Sequence, residues 1–379
     1  MKILFVIDSL HGGGAEQSLA ELLPALREHR VDVSVVTLLP DDGSLERQVK
    51  EAGISVTRQW SRSPLSTAHA LQRLMRTTRP DLVHTSLFRS DVLGRIASRS
   101  VGIPCVTSIV NDFYGPLHRE NSKYGSGAVR GAQALDALTA QLACRFHAIS
   151  SEVAGSMRRR LNIARKPIDV VWRGRDPSRL GSWSVRRRSE VRARLGIADD
   201  VAVVLQVSRL DKQKAVDTTI KAFARLLTPV PSALLLVAGR DGNAAADIHQ
   251  MTNQFQGDQI RLLGHRTDVP DLMVAADVLA FPSRWEGLGG TVLEAMALRL
   301  PIVCSDLPVL RETLGTAGEH FVAVDDDAAF ADALRSCLSN PTSAALLDQA
   351  EARFQAHFTI DASARGMVEF YRRAVPSVL

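Results

Sequence analysis

The stretch Pro282–Pro301, PSRWEGLGGTVLEAMALRLP, decides how the rest of the chain is read. Its first residues suit a strand end, the glycines that follow a turn, and Thr291 to Leu298 a helix closed off by Pro301. The first N–H groups of a helix have no partner within it and carry the positive end of its dipole. Leu288, Gly289, Gly290 and Thr291 therefore form a cradle suited to phosphate. Glu286 stands just before the cradle and Glu294 about one turn inside the helix. Carboxylates accept hydrogen bonds from paired hydroxyls, so a nucleotide sugar with its phosphates on the helix end would present one sugar to each glutamate. The simpler alternative is that both acids only favour a helix N-terminus, worth about 0.3–1 kcal/mol each.

Outward from this stretch the chain alternates strand and helix. Val201 to Val207 reads as a strand running into Ser208-Arg209-Leu210-Asp211-Lys212-Gln213-Lys214, with a helix from Asp217 to Leu227. A guanidinium and an ammonium at one strand end can both reach a pyrophosphate and neutralise a departing diphosphate; each alone is also an ordinary surface charge. Strands at Ala233–Ala238, Ile260–Leu263, Val278–Phe281 and Ile302–Ser305 continue the pattern, with Gly264-His265 directly after the second. Asp325-Asp326-Asp327 precedes a helix and reads as its cap, so no metal site is expected.

The first half has the same rhythm. Ile3 to Ile7 is a continuous apolar run, as in a strand buried on both faces of a parallel sheet. His11-Gly12-Gly13-Gly14-Ala15-Glu16 follows, then a helix with Leu19, Leu22, Leu23 and Leu26 on one face. This turn is not G-x-G-x-x-G, so a dinucleotide fingerprint is lacking; tight packing alone also explains its glycines. Pro80 to His84 reads as a strand with His84 at its C-terminal end, where open α/β sheets place ligands; a packed or capping histidine is the alternative. Ser150 is an expected N-cap, with Glu152 and Arg158-Arg159-Arg160 at opposite ends of its helix, an order the helix dipole already explains. Arg186 to Arg194 reads as a solvated helix.

With 379 residues the chain can bury two cores, and 46 basic against 41 acidic residues leave a net charge of +5, too small to argue for nucleic acid. Cys105, Cys144, Cys304 and Cys337 are widely spaced, which fits a reducing compartment better than a disulfide or zinc scaffold. The five or so apolar residues after Lys2 suit a strand better than a signal peptide, and no run reaches the roughly 18 apolar residues of a membrane span. A cytoplasmic protein, at most peripheral to the inner face of a membrane, is expected.

Glu286 and Glu294 in the spacing E-x7-E, with Gly287 and Ala295-Met296-Ala297, resemble the donor-site signature of the retaining GT-B glycosyltransferases of family 4. Arg209 and Lys214 match that family's two cations, though Ala215 stands where glycine is usual, and Gly13-Gly14-Ala15-Glu16 matches its N-terminal glycine turn. The resemblance covers nearly the whole chain and is strongest from Val201 to Pro301. It implies two doubly wound Rossmann-like domains facing across a cleft. The expected boundaries are 1–172 for an acceptor-side domain, 173–195 for a linker, 196–358 for a nucleotide-sugar domain and 359–379 for a helix crossing back. It also implies sugar transfer from a nucleotide diphosphate donor to an acceptor sugar or lipid-linked glycan, with retention. Glu286, Arg209 and Lys214 would be catalytic. Gly13, Gly14, Gly264, His265, Leu288, Gly289, Gly290, Thr291 and Glu294 would bind donor, and His84 and Asn111 would contact acceptor or sugar. No cofactor is implied. The chain departs from the family in having Thr107-Ser108-Ile109-Val110-Asn111-Asp112 where a histidine is common, and Arg173 in place of an asparagine. These departures keep two rivals open, a nucleotide-sugar epimerase of the same architecture and a non-catalytic subunit of a polysaccharide assembly.

Overall fold

A computed structural model describes residues 1–375 apart from 12, 41–42, 117–118, 120–123, 256 and 341. It divides into two compact units, Met1–Asp176 with His357–Leu379, and Pro177–Ala356.

Unit one contains β1 (Lys2–Ile7), α1 (Gly14–Glu28), β2 (Asp32–Thr37), α2 (Ser44–Glu51), β3 (Ser55–Arg58), α3 (Pro64–Thr78), β4 (Leu82–Ser86), α4 (Phe88–Val101), β5 (Cys105–Ile109), α5 (Ser126–Ala140), β6 (Arg145–Ala148), α6 (Ser151–Arg160) and β7 (Ile168–Val170). Its strands are all parallel, in the order β3-β2-β1-β4-β5-β6-β7. Helices on both faces explain why β1 is apolar without alternation: Ile3 to Ile7 are all buried.

Unit two contains α7 (Pro177–Leu180), α8 (Val185–Arg194), β8 (Val203–Val207), α9 (Val216–Leu226), β9 (Leu234–Ala238), α10 (Ala245–Thr252), β10 (Ile260–Leu262), α11 (Val269–Ala275), β11 (Val278–Phe281), α12 (Gly290–Ala297), β12 (Ile302–Ser305), α13 (Pro308–Leu314), β13 (His320–Val322), α14 (Asp327–Ser339) and all but the last residue of α15 (Ala344–His357). The strand order is β10-β9-β8-β11-β12-β13, again all parallel. Its core joins Val204, Phe223, Leu235, Val278, Phe330 and Leu334. The chain then returns to unit one, where α16 (Ile360–Ala374) packs on α1 and adds Met367, Phe370 and Tyr371 to the cluster around Ile3, Phe5 and Leu23. Burying a side chain of this size stabilises by about 1.5–3 kcal/mol.

Strand order fixes where ligands can sit. In open parallel sheets the crevice lies at the carboxyl ends of the two strands between which the winding reverses. These are β1 and β4 in unit one, and β8 and β11 in unit two.

Two expectations need correcting. Residues 173–195 include α7 and α8, and α8 is solvated on one face only: the other lies against α11. Arg192 is 1% exposed and donates to the carbonyls of Ala275 (3.2 Å) and Ala198 (3.1 Å). Arg188 pairs with Asp277 at 2.6 Å and Arg187 with Asp271 at 2.8 Å. The arginines answer the negative C-terminal end of α11 and two acids distant in sequence, which the local charge pattern does not reveal. The second correction concerns His84, which is the third of five residues in β4 rather than its end. The ladder continues because Thr85 and Ser86 pair with Thr107 and Ser108 of β5.

Candidate functional site

Both charged motifs of unit two emerge at its switch point, Ser208–Lys214 from β8 and Pro282–Gly289 from β11. The two loops are stitched together. Arg284 N–H donates to the Gln213 carbonyl and Gln213 Nε2 to the Trp285 carbonyl, each at 2.8 Å. The Arg284 guanidinium reaches the Lys212 carbonyl, Asp217 (2.8 Å) and Asp325 (2.8 Å). Thr291 Oγ1 donates to the Val207 carbonyl at 3.4 Å, tying the first turn of α12 to the end of β8.

These ties bring Lys214 and Glu286 into direct ion pairing, although 72 residues separate them. Lys214 Nζ also stands 5.8 Å from the ring centre of Phe281. The pair is partly shielded, with side chains 20% and 7% exposed. Arg209 is outside this pair, 63% exposed and 2.9 Å from Asp211. Beside the pair, α12 begins with no side-chain cap: its N-cap residue is Gly289 at φ +87. A side chain there would adopt a disfavoured backbone conformation and place its Cβ 3.0 Å from Leu310 Cδ2. The first N–H groups of α12 thus head an uncapped positive helix end, with Leu288 buried and Gly290, Thr291 and Glu294 partly exposed. Gly264 and His265 follow the edge strand β10, two strands away from β8; the Gly264 carbonyl accepts from Gly239 N–H at 2.8 Å.

Unit one equips its switch point differently. Asp8, just beyond β1, accepts from the Ser90 N–H and hydroxyl, both at 2.7 Å, and so caps α4. Burial raises its carboxyl above the usual range. Glu16, in the first turn of α1, folds back over Gly13, where a Cβ would collide with its carboxylate. Burial raises Glu16 too, against the pull of its own N–H. Gly14 has open space around it, and Gly12 lies outside the described residues.

His84 is 2% exposed and engaged at both nitrogens, Nδ1 with Tyr371 Oη at 2.8 Å and Nε2 with Ser108 Oγ at 2.7 Å. Ser108 Oγ continues to His147 Nδ1 (2.7 Å), and His147 Nε2 ends on the Val171 carbonyl (2.8 Å). A carbonyl only accepts, so neutral imidazoles fix the direction of every bond. Tyr371 donates to His84, His84 to Ser108, Ser108 to His147, and His147 to Val171. Burial holds His84 well below the usual imidazole range, with His147 adding to the effect, and burial holds His147 at about 4. Asn111 accepts from the Asp112 N–H at 2.9 Å, and Asp112 pairs with Arg160 at 2.7 Å.

Sequence reasoning missed Arg284, Gln213, Asp8 and the partners of His84. Arg284 was visible inside the deciding stretch, but its targets lie on another loop. The acids at 325–327 are structural: Asp326 caps α14, and Asp325 and Asp327 pair with Arg284 and Arg225. Among the described residues no cluster of three His, Cys, Asp or Glu is arranged to hold a metal ion.

Two parallel sheets with switch points, one bearing a cation–carboxylate pair beside an uncapped helix end, define a pair of Rossmann-like units. Glycosyltransferase Family 4 matches residues 12–179 and Glycosyl transferases group 1 matches residues 187–354, in succession over most of the chain; it belongs to this group of glycosyltransferases and has the GT-B fold. It is 26% identical over 243 residues to the UDP-Gal:alpha-D-GlcNAc-diphosphoundecaprenol alpha-1,3-galactosyltransferase of Escherichia coli, covering 63% of this chain and 61% of that one. It is 30% identical over 193 residues to the lipopolysaccharide core biosynthesis mannosyltransferase LpsB of Rhizobium meliloti (strain 1021), covering 48% and 55%. In both cases less than two thirds of the relative is spanned. Anabaena HepE, crystallised in complex with UDP, superposes with a TM-score of 0.83 at 22% identity, covering 98% of this chain and 100% of that one.

Proposed function

We propose that the chain is a retaining glycosyltransferase that moves a sugar from a nucleoside diphosphate to an acceptor hydroxyl in polysaccharide, glycolipid or other glycoconjugate biosynthesis. The observation that carries this reading is the Lys214–Glu286 pair beside the uncapped N-terminus of α12, at the switch point of unit two. The helix end and Lys214 face the developing charge of the diphosphate, with Arg209 as a second, exposed cation. Glu286 accepts from hydroxyls of the transferred sugar and Glu294 from those of the ribose. Gly264 and His265 meet the nucleobase through backbone. During transfer the bond from the anomeric carbon to the β-phosphate oxygen breaks, with its electron pair leaving on phosphate. The acceptor oxygen forms the new bond on the same face of the sugar, and its proton passes to the departing phosphate. Protein cations supply the neutralisation, so transfer should persist in EDTA.

Unit one takes the acceptor, and two features support a lipid-linked one held at the cytoplasmic face of a membrane. Leu135, Leu138 and Leu142 at 43%, 71% and 36% exposure form an apolar stripe along and just beyond α5. The exposed Arg159 and Arg165 lie on an adjoining segment, joined to α5 through Gln141 to the Asn162 carbonyl (3.1 Å) and Lys166 to the Gln141 carbonyl (2.7 Å). The relative from E. coli is named for a diphosphoundecaprenol acceptor.

The test is turnover of UDP-sugars with a panel of acceptors, followed by NMR of the product's anomeric proton. A glycoside of unchanged anomeric configuration is expected. An inverted product would refute the mechanism, release of free nucleotide with an epimerised sugar would favour the epimerase, and no turnover in wild type or Glu286→Gln would favour a binding subunit.

A further inference from the structure

Unit one holds a partly open cavity of about 50 Å³ against α1, α16 and the carboxyl ends of its strands. That is room for a few waters, or for the head of one charged group. Ser18, Ser86, Ser108, His147 and Arg173 line it.

Much of its hydrogen-bonding capacity is already spent. The Ser18 hydroxyl donates to the Gly14 carbonyl at 2.8 Å. Ser108 and His147 are spent on each other and on the directional chain that ends at Val171. What remains is a guanidinium, which only donates, and a hydroxyl, which can donate. The Ser86 hydroxyl has no hydrogen-bond partner among the described residues, and Arg173 has a single one, the Gly14 carbonyl, at a long 3.3 Å. No carboxylate of the described residues lies within ion-pair distance of Arg173; Glu16 attracts it from farther off, with its carboxylate turned onto the start of its own helix. Arg173 is partly exposed; the burial it has, with the like charge of Arg175 adding to the effect, lowers it to about 10, so the guanidinium remains charged at neutral pH. A cation held by one long hydrogen bond and attracted only by a more distant carboxylate has donors left for an anionic ligand.

We infer that Arg173 and Ser86 form an anion subsite in unit one, and that the acceptor carries an acidic group, a carboxylate or a phosphoryl, which this subsite holds. The inference rests on the reading of unit one as the acceptor side. A guanidinium presents a planar fork of donors to two oxygens at once, which neither a neutral hydroxyl nor the asparagine usual at this position matches.

Glucose, glucuronate and glucose 6-phosphate share a ring and differ at C6, so they isolate the charge. Each is titrated into the full chain by ligand-observed NMR, with and without saturating UDP, and UDP binding is followed separately by thermal shift. At least one acid should bind about tenfold or more tightly than glucose, as a charge-assisted hydrogen bond predicts, and which acid does so distinguishes carboxylate from phosphoryl. Arg173→Asn should abolish the preference and Ser86→Ala reduce it, while the UDP-induced shift stays as in wild type in both. Equal affinity for all three sugars, no binding of either acid, or a preference that survives Arg173→Asn would overturn the inference. Loss of the UDP shift in wild type would instead sink the donor reading and leave the sugar comparison standing.

Discussion

At the switch point of unit one the N-termini of α1 and α4 already meet carboxylates of the chain itself, Glu16 and Asp8; at that of unit two the N-terminus of α12 meets no side-chain cap and stands beside Lys214 and Glu286. The sheets are wound alike, so the difference lies in what their loops carry. A helix end filled by its own acid has little left to offer a diphosphate, whereas an open one beside an ammonium is ready to receive it. The histidines differ in the same sense. His84 and His147 are neutral and sealed in a hydrogen-bonded chain, which is architecture, while the charged pair of unit two keeps one partner partly in contact with solvent.

The largest expected effect falls on the charged pair. Lys214→Ala or Glu286→Gln should each lower kcat/KM for transfer by about 10²–10³-fold, the usual cost of removing a group that stabilises the transition state. Because the two are paired, the double variant should lose less than the product of the single losses. A loss below threefold in both would place the chemistry elsewhere.

In unit one the effect should be on stability. Both histidines are held below the usual value of 6.5, and burial keeps His147 at about 4. The unfolded chain therefore takes up protons first as pH falls. The stability these groups contribute is complete above about 6.5 and is lost towards pH 4; for His147 alone it amounts to about 3 kcal/mol. Urea melts at pH 7.5 and 5.0 should show the loss, and it should shrink in His147→Gln. A flat profile would mean that the histidine chain is already protonated or open to water.

A smaller loss is expected at Arg284, which holds the loops of the pair in register without facing the donor in our reading. Arg284→Ala should lower kcat by about tenfold to a hundredfold through misplacement, with partial rescue by lysine. An unchanged kcat would show that Gln213 and Thr291 suffice. The smallest effect belongs to the surface of α5. Leu138→Glu should reduce sedimentation with anionic phospholipid vesicles and leave transfer to a soluble acceptor unchanged; equal sedimentation of both proteins would remove the membrane from the account.

Periodicity made both sheets legible, since buried parallel strands read as short apolar runs and their helices as amphipathic ones. The uncapped helix end and its flanking acids were legible for the same local reason: Glu286, Gly289 and Glu294 lie within nine residues of sequence. What stayed hidden depends on contacts between distant segments. Nothing near Arg192 announces Ala275, and nothing near His84 announces Tyr371, 287 residues away. The end of β4 was misjudged because its last two residues, Thr85 and Ser86, are polar, and only their pairing with β5 shows that the strand continues. Arg173 was visible as a departure from the family, but its single long hydrogen bond, to the Gly14 carbonyl, is a property of the folded chain alone.

The central claim is that the switch point of unit two holds a nucleoside diphosphate. Isothermal titration of UDP and GDP into the wild type and Lys214→Ala, without added metal, tests it most directly. We predict saturable one-to-one binding of one nucleotide and a loss of about tenfold or more in the variant, in line with a charge-assisted contact. Binding of neither nucleotide, or equal affinity in both proteins, would contradict it.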